Sequence, residues 1–299
     1  MSQPTATPAP AVRPDAASSR RVPPGTVKPG TGRQTVYSDP SSWLPLDGLA
    51  PGFDGAKADP SPVLDGRAIA LEDGSRYRFA AGRVSWSSAE CAGGSAYEAF
   101  EVAEGLVYAQ YAEETSGRAA AAVSLVLDLE RGWALRVTST VVGAGPGRTA
   151  VAQRFEAAAI AGCQSQGRPP SPSDDLVGRR VMWVYSGEHA YEHVYLSPGL
   201  YTWQCLAGPE RGLADTDECT VYCVRPGIYV FAWREKVIPC ASVTVADHRR
   251  LTALRSHGVL FGLDASAREQ VHFTFGAHGR LLSQTVHPAE HDPARPEHA

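Results

Sequence analysis

The 299-residue chain contains no Asn, and Lys occurs only at positions 28, 57 and 236. Arg, Ala and Gly are common in their place, the bias of a GC-rich genome. With Lys+Arg at 28 and Asp+Glu at 32, the net charge is -4, which excludes a strongly basic nucleic-acid binder. Scarce Lys also leaves no evident cradle for a phosphate. No apolar run approaches the ~18 residues of a membrane helix. The N-terminal segment MSQPTATPAPAVRPDAASSRRVPPG has no apolar core and does not read as a secretory signal, and Arg20-Arg21 lacks the hydrophobic stretch of a twin-arginine signal. Cys91, Cys163, Cys205, Cys219, Cys223 and Cys240 form no CxxC pair and read as reduced thiols. No GxSxG, P-loop or dinucleotide fingerprint is present, so no cofactor is expected. These absences predict a cytoplasmic protein with neither nucleic acid nor membrane as a partner.

Apolar residues make up 43% of the chain, enough for a substantial core. Residues 1–35 are mostly Pro, Ala, Ser and Thr and are expected to be a disordered tail; residues 288–299 read the same way. A Pro-rich break at 163–175 (CQSQGRPPSPSDD) reads as a linker between domains at 36–165 and 176–287. Between the breaks the pattern is β. Alternating runs flank Asp73-Gly74, Ala81-Gly82, Ser186-Gly187 and Arg225-Pro226-Gly227, and such dipeptides between alternating runs signal hairpins. Residues 149–161 are alanine-rich but also alternate, and read as a strand.

The two halves resemble one another. With Gly105 over Gly227, EAFEVAEGLVYAQYAE overlays TVYCVRPGIYVFAWRE without a gap. Phe100 then meets Tyr222, Leu106 meets Ile228, Tyr111 meets Trp233 and Glu113 meets Glu235. RVSW ending at Trp86 matches LYTW ending at Trp203, and SLVLD ending at Asp128 matches VTVAD ending at Asp247. A long-period repeat of β-meanders predicts two tandem antiparallel barrels, each closed to avoid free edges and wide enough for one small ligand.

The second half carries the candidate site. Side chains alternate along a strand, so Tyr191, His193 and Tyr195 share one face of AYEHVYL, and Tyr201 and Trp203 share one face of LYTWQC. Tyr229, Phe231, Trp233 and Glu235 share another, with Trp183 and Tyr185 upstream. An aromatic wall ending in a carboxylate suits a mostly apolar pocket with few polar groups; the same stripe also reads as ordinary core, with Glu235 pairing Arg234 or capping the barrel mouth. His193 and Glu235 are candidate general acid–base groups, and Tyr195 and Tyr201 candidate donors to a developing oxyanion. Trp183, Tyr185, Tyr191, Trp203, Tyr229, Phe231 and Trp233 are the candidate ligand wall. His189 and His193, the Cys219/Cys223 pair and the acidic run Asp215, Asp217, Glu218 lack familiar metal-site spacing; the acidic run reads as a solvated loop and no metal is expected.

The segment from Leu176 to Asp264 resembles the molybdenum cofactor biosynthesis protein F (MoaF-type) family through YEHVYL, YTWQCL, the GPERGLADTDE loop and FAWREKVIP. Residues 63–161 are similar to the family's other module through DGSRYRF and VSLVLDL. The resemblance implies lipocalin-like (calycin) barrels. The YEHVYL, YTW and FAWRE spacing is also similar to phenolic acid decarboxylases, small calycin barrels in which a glutamate placed like Glu235 acts on a conjugated substrate, although their later segments have no counterpart in this chain.

These readings lead to the expectation of a cofactor-free lyase or cyclase. It would act by general acid–base chemistry on a hydrophobic conjugated small molecule, a natural-product intermediate, by dehydration or Michael-type addition. The alternative is a non-catalytic lipocalin-like carrier or sensor of a small hydrophobic ligand. Either would be a monomer or homodimer, with the first half serving as a structural partner.

Overall fold

The computed structural model describes residues 43–89, 91–115 and 118–295. The expected tail at 1–35 lies outside them, as do residues 296–299. The chain is nearly all β, as the sequence predicts. The first sheet is a meander in which every strand pairs with the next: β1 (Ala68–Ala70), β2 (Arg76–Ala80), β3 (Arg83–Ser87), β4 (Ala92–Ala103), β5 (Leu106–Thr115), β6 (Arg118–Asp128), β7 (Trp133–Val141) and β8 (Val151–Ala159). It curls on itself until its ends touch at one bridge, Leu71 to Ile160.

The second sheet contains β9 (Ser171–Pro172), β10 (Arg179–Val184), β11 (Ala190–Ser197), β12 (Leu200–Ala207), β13 (Ala214–Arg225), β14 (Ile228–Arg234), β15 (Cys240–Asp247), β16 (Leu254–Leu263) and β17 (Gln270–Gln284). Here β17 returns to β10 and β12 pairs with β13, so β10–β17 form a closed antiparallel barrel. β12 covers β13 only from Ala214 to Glu218, and the short β9, inside the Pro-rich break, pairs with β13 beyond it at Tyr222 and Cys223.

The repeat is visible atom by atom. The β4–β5 and β13–β14 hairpins both turn at a glycine with positive φ, Gly105 at 64° and Gly227 at 78°. Both carry a bulge three residues earlier, at Val102 and Val224. Leu106 faces Asp128 and Ile228 faces Asp247 in register. Gly105 O accepts from Leu129 N at 2.8 Å, and Gly227 O from His248 N at 2.7 Å.

Each sheet buries one face inside itself and the other against its counterpart. Leu106, Tyr108, Val126 and Val137 of the first half pack on Ile228, Val230, Val245 and Val259 of the second. That is why β14 and β15 are buried on both faces, with Val230 and Ala232 as hidden as Phe231 and Trp233. The seam also holds an ion pair. Arg225 donates to Asp128 Oδ2 at 2.8 Å and Oδ1 at 2.6 Å, and to Glu104 O at 3.0 Å.

The N-terminal approach to the first sheet crosses to the second barrel. Residues 43–56, with the short helix α1 (Leu46–Leu49), form a strap over one end of the β10–β17 barrel. Leu46, Leu49 and Phe53 join that barrel's interior cluster. Gly276 on β17 makes the passage possible, because a Cβ there would lie 2.8 Å from Ala56 O and 3.0 Å from Lys57 Cα. Among the described residues no helix is long and apolar enough to cross a membrane.

Candidate functional site

The interior of the second barrel is built by strand alternation. From β11, Tyr191, His193 and Tyr195 point inward, while Glu192 on the opposite face receives Arg180 at 2.7 Å. From β12 come Tyr201 and Trp203, and from β14 come Tyr229, Phe231 and Trp233. Trp183 and Tyr185 enter from β10 and the residue following it. Glu235 follows β14, held by its backbone N–H to Cys240 O at 3.0 Å. Arg234 turns away, donating to Gln153 Oε1 at 3.0 Å, so it leaves Glu235 to the interior.

The rings leave a small cavity beneath the strap, about 30 Å³ in volume, room for a water or two. His193, Tyr201, Tyr185, Tyr191, Trp203, Trp233 and Glu235 all line it, together with Glu210, Leu260, Leu46 and Phe53. Of the predicted wall and catalytic residues, Trp183, Tyr195, Tyr229 and Phe231 share the same buried cluster but do not line the cavity. Tyr195 and Phe231 lie behind His193, with ring centroids 6.3 Å and 5.8 Å from it. Tyr229 and Trp183 flank His248, near where Arg179 meets its Nδ1 at 3.1 Å.

Three aromatic donors around the cavity each end on a carboxylate. Tyr191 OH donates to Glu210 Oε2 at 2.7 Å, Trp203 Nε1 to Asp217 Oδ2 at 2.9 Å and Trp233 Nε1 to Glu235 Oε1 at 3.1 Å. Burial raises the pKa of all three acids, because a charged carboxylate loses its hydration there. Glu235 is pushed up to about 8, chiefly by burial and then by the nearby charge of Asp217, with the Trp233 bond opposing. Burial lowers His193 to about 3, so its ring is neutral at physiological pH. His193 Nδ1, Tyr195 OH and Glu210 Oε1 are buried without a hydrogen-bond partner among the described residues.

Two of these groups escaped the sequence reading. Asp217 does not sit in a solvated loop: GLADTDE runs into β13, and Tyr201 pairs with Asp217 across the β12–β13 ladder. Period-two alternation over ADTDECTVYC carried that signal, since Asp217, Cys219 and Val221 are all buried. Glu210 comes from the loop before β13 and has no periodic signature.

Comparison with known proteins then fixes the family. The sequence model of the MoaF N-terminal domain matches residues 41–142, and that of the MoaF C-terminal domain matches residues 170–285. The chain belongs to the MoaF family. Protein MoaF of Klebsiella aerogenes is 37% identical over 146 residues, covering 48% of this chain and 55% of that protein. The chain therefore spans only about half the length of that MoaF relative. A solved structure from Burkholderia vietnamiensis covers 36% of this chain and 95% of its own at 17% identity, with a TM-score of 0.30, too low to carry an argument.

The expected lyase or cyclase acting on natural-product intermediates is overturned by these findings. They identify a MoaF chain, and the relative's name carries neither chemistry.

Proposed function

We propose that the second barrel of this MoaF-family chain is a binding chamber for a small, mostly apolar organic molecule, covered by the strap at residues 43–56. The observation that carries this reading is that His193 and Glu210 line the cavity and each holds a buried polar atom, Nδ1 and Oε1, without a hydrogen-bond partner among the described residues. An ordinary core satisfies its polar atoms, and each one left alone costs about 1–3 kcal/mol. A ligand that bonds to them recovers that cost. Small-molecule sites typically occupy about 300–1,000 Å³, so entry requires the strap to lift. Phe53, Leu46 and Leu49 are the side chains whose departure would enlarge the chamber. All six cysteines are free, which supports a reducing, cytoplasmic setting.

The test is a fragment screen by saturation-transfer NMR on the full chain, repeated on Leu260→Trp and Cys240→Phe, each of which would fill the cavity. Small aromatic fragments should bind the natural chain and be lost in whichever filled variant keeps its circular dichroism. Equal binding to a folded, filled variant would place the fragments elsewhere and end this reading.

A further inference from the structure

We infer that the chamber of the second barrel takes an organic cation, a substituted ammonium group carried on a small apolar body. This rests on the reading of that barrel as a ligand chamber. The cavity wall supplies acidic side chains and aromatic rings but no basic group: Glu210 and Glu235 line it, Asp217 stands behind Trp203, and no Lys or Arg is among the lining residues. Lys236 reaches Asp215 and Asp217 from a half-exposed position. Because the three acids bond to the ring donors of Tyr191, Trp203 and Trp233, they enrich those π-systems through the ring edges. Electron-rich faces beside desolvated carboxylates are the surroundings that attract a cation.

Two buried atoms point to a ligand independently of the acids' number. Glu210 and His193 are each 4% exposed, both line the cavity, and Glu210 Oε1 and His193 Nδ1 have no partner. An ammonium N–H or an adjacent polarised C–H would meet Oε1, and a hydrogen-bond donor on the same ligand would meet the neutral imidazole. The acids are spread around the cavity: among the described residues no three His, Cys, Asp or Glu side chains converge as a metal site. That spacing suits an organic cation better than a metal ion.

The first half shows what occupies the equivalent place when the charge is built in. Glu113 corresponds to Glu235, and its rise on burial is opposed by Arg136. Arg136, on β7, sends its guanidinium into the first sheet's concave side, to Glu156 at 3.0 Å, Ser75 at 2.8 Å and the Tyr77 hydroxyl at 3.0 Å. Arg136 pairs with Leu125, three residues before Asp128; the same position in the second half, three residues before Asp247, is Thr244, which pairs with Gly258. The equivalent of Arg136 is therefore a glycine. One repeat carries its cation covalently; the other keeps the acid and omits the base.

The experiment titrates the full-length protein at pH 9, above the value near 8 to which burial raises Glu235, with benzyltrimethylammonium, its neutral carbon isostere neopentylbenzene, and 3-phenylpropionate, read by tryptophan fluorescence. The cation should bind at least ~10-fold more tightly than either of the others. Glu210→Gln and Glu235→Gln should each cut the cation's affinity while leaving the neutral probe within ~2-fold. The ratio in the natural chain decides the matter even if neither variant folds. If the neutral or anionic probe binds as well as the cation, the inference is overturned and the chamber stands. If no probe gives a saturable change, the chamber reading falls with it.

Discussion

Replacing Phe53 with alanine should open the strap without unfolding the barrel beneath it. Phe53 is 4% exposed and stacks on Tyr185 at 4.4 Å between centroids, with edge contacts to His189 at 5.4 Å and Phe275 at 5.5 Å. Truncating a phenylalanine packed this way costs about 3–5 kcal/mol. The ring covers one end of the barrel and belongs to none of its ladders, so the loss falls mainly on strap closure. A loss of ~3 kcal/mol changes the closing equilibrium by roughly 150-fold. A closed strap competes with ligand, so probe affinity should rise by up to that factor. Hydrogen exchange supplies the assay, because Ala56 N–H donates to Tyr185 O at 2.7 Å only while the strap is down. Ala56 should lose protection in Phe53→Ala while the amides of β14–β16 keep most of theirs. If Ala56 exchanges only with global unfolding, and the whole stability loss appears in the barrel strands, the strap is core and the lifting motion is wrong.

Gly276→Ala sets a methyl against the Ala56 carbonyl, at an overpacking cost of ~1–3 kcal/mol, and should lower Ala56 protection in the same exchange experiment; unchanged protection would show that the strap does not bear on β17. Arg225→Ala leaves Asp128 buried and unpaired and should cost about 3–5 kcal/mol in urea unfolding, with a loss below ~1 kcal/mol counting against the seam as a unit. Glu235 keeps its proton in the folded state up to about pH 8, whereas the unfolded chain releases it near 4.5, so its contribution to stability declines as pH rises through that window, by up to ~1.4 kcal/mol per unit. His193, His248, His257 and His272 have lowered folded values and act in the opposite sense, but only below about 6.5. Between pH 6.5 and 8 the Glu235→Gln variant should therefore show a flatter stability profile than the natural chain, and identical slopes there would refute a neutral buried Glu235.

The hairpins were legible because their turns are local chemistry: Asp73-Gly74, Ala81-Gly82 and Pro226-Gly227 fix a reversal within a few residues. The inward faces of β11, β12 and β14 followed from alternation, and with them His193, Tyr201, Trp203, Trp233 and Glu235 around one cavity. Local pattern could not reveal contacts made over long separations. Phe53 closes a barrel whose first strand begins at Arg179, and nothing near PGFDGAK announces a partner so distant. Asp217 was hidden by composition, since ADTDE looks solvated until its tryptophan partner across the ladder is known. Val230 and Ala232 are buried on the outer face of β14, which also carries Arg234, and only the docking of the two sheets accounts for them.

That docking has a consequence for assembly. The seam is built from matching positions of the repeat: Leu106 with its counterpart Ile228, Tyr108 with Val230, Val126 with Val245 and Val137 with Val259. A patch that meets its own equivalent is the arrangement of a two-fold dimer interface. Here it is satisfied within one chain, so the face a single such barrel would cover by self-association is already covered. The polar groups at the seam do not follow the symmetry. Gln110 and Ser124, bonded at 2.7 Å, oppose Ala232 and Val243 in the overlay, and Arg225 reaches Asp128 where Ala103 would have to reach Asp247. Apolar matching makes the two sheets adhere; the unmatched Arg225–Asp128 pair distinguishes one half from the other, because only one orientation brings that guanidinium to that carboxylate. The halves were then free to diverge inside, one around Arg136 and the other around a cavity walled by Glu210 and Glu235.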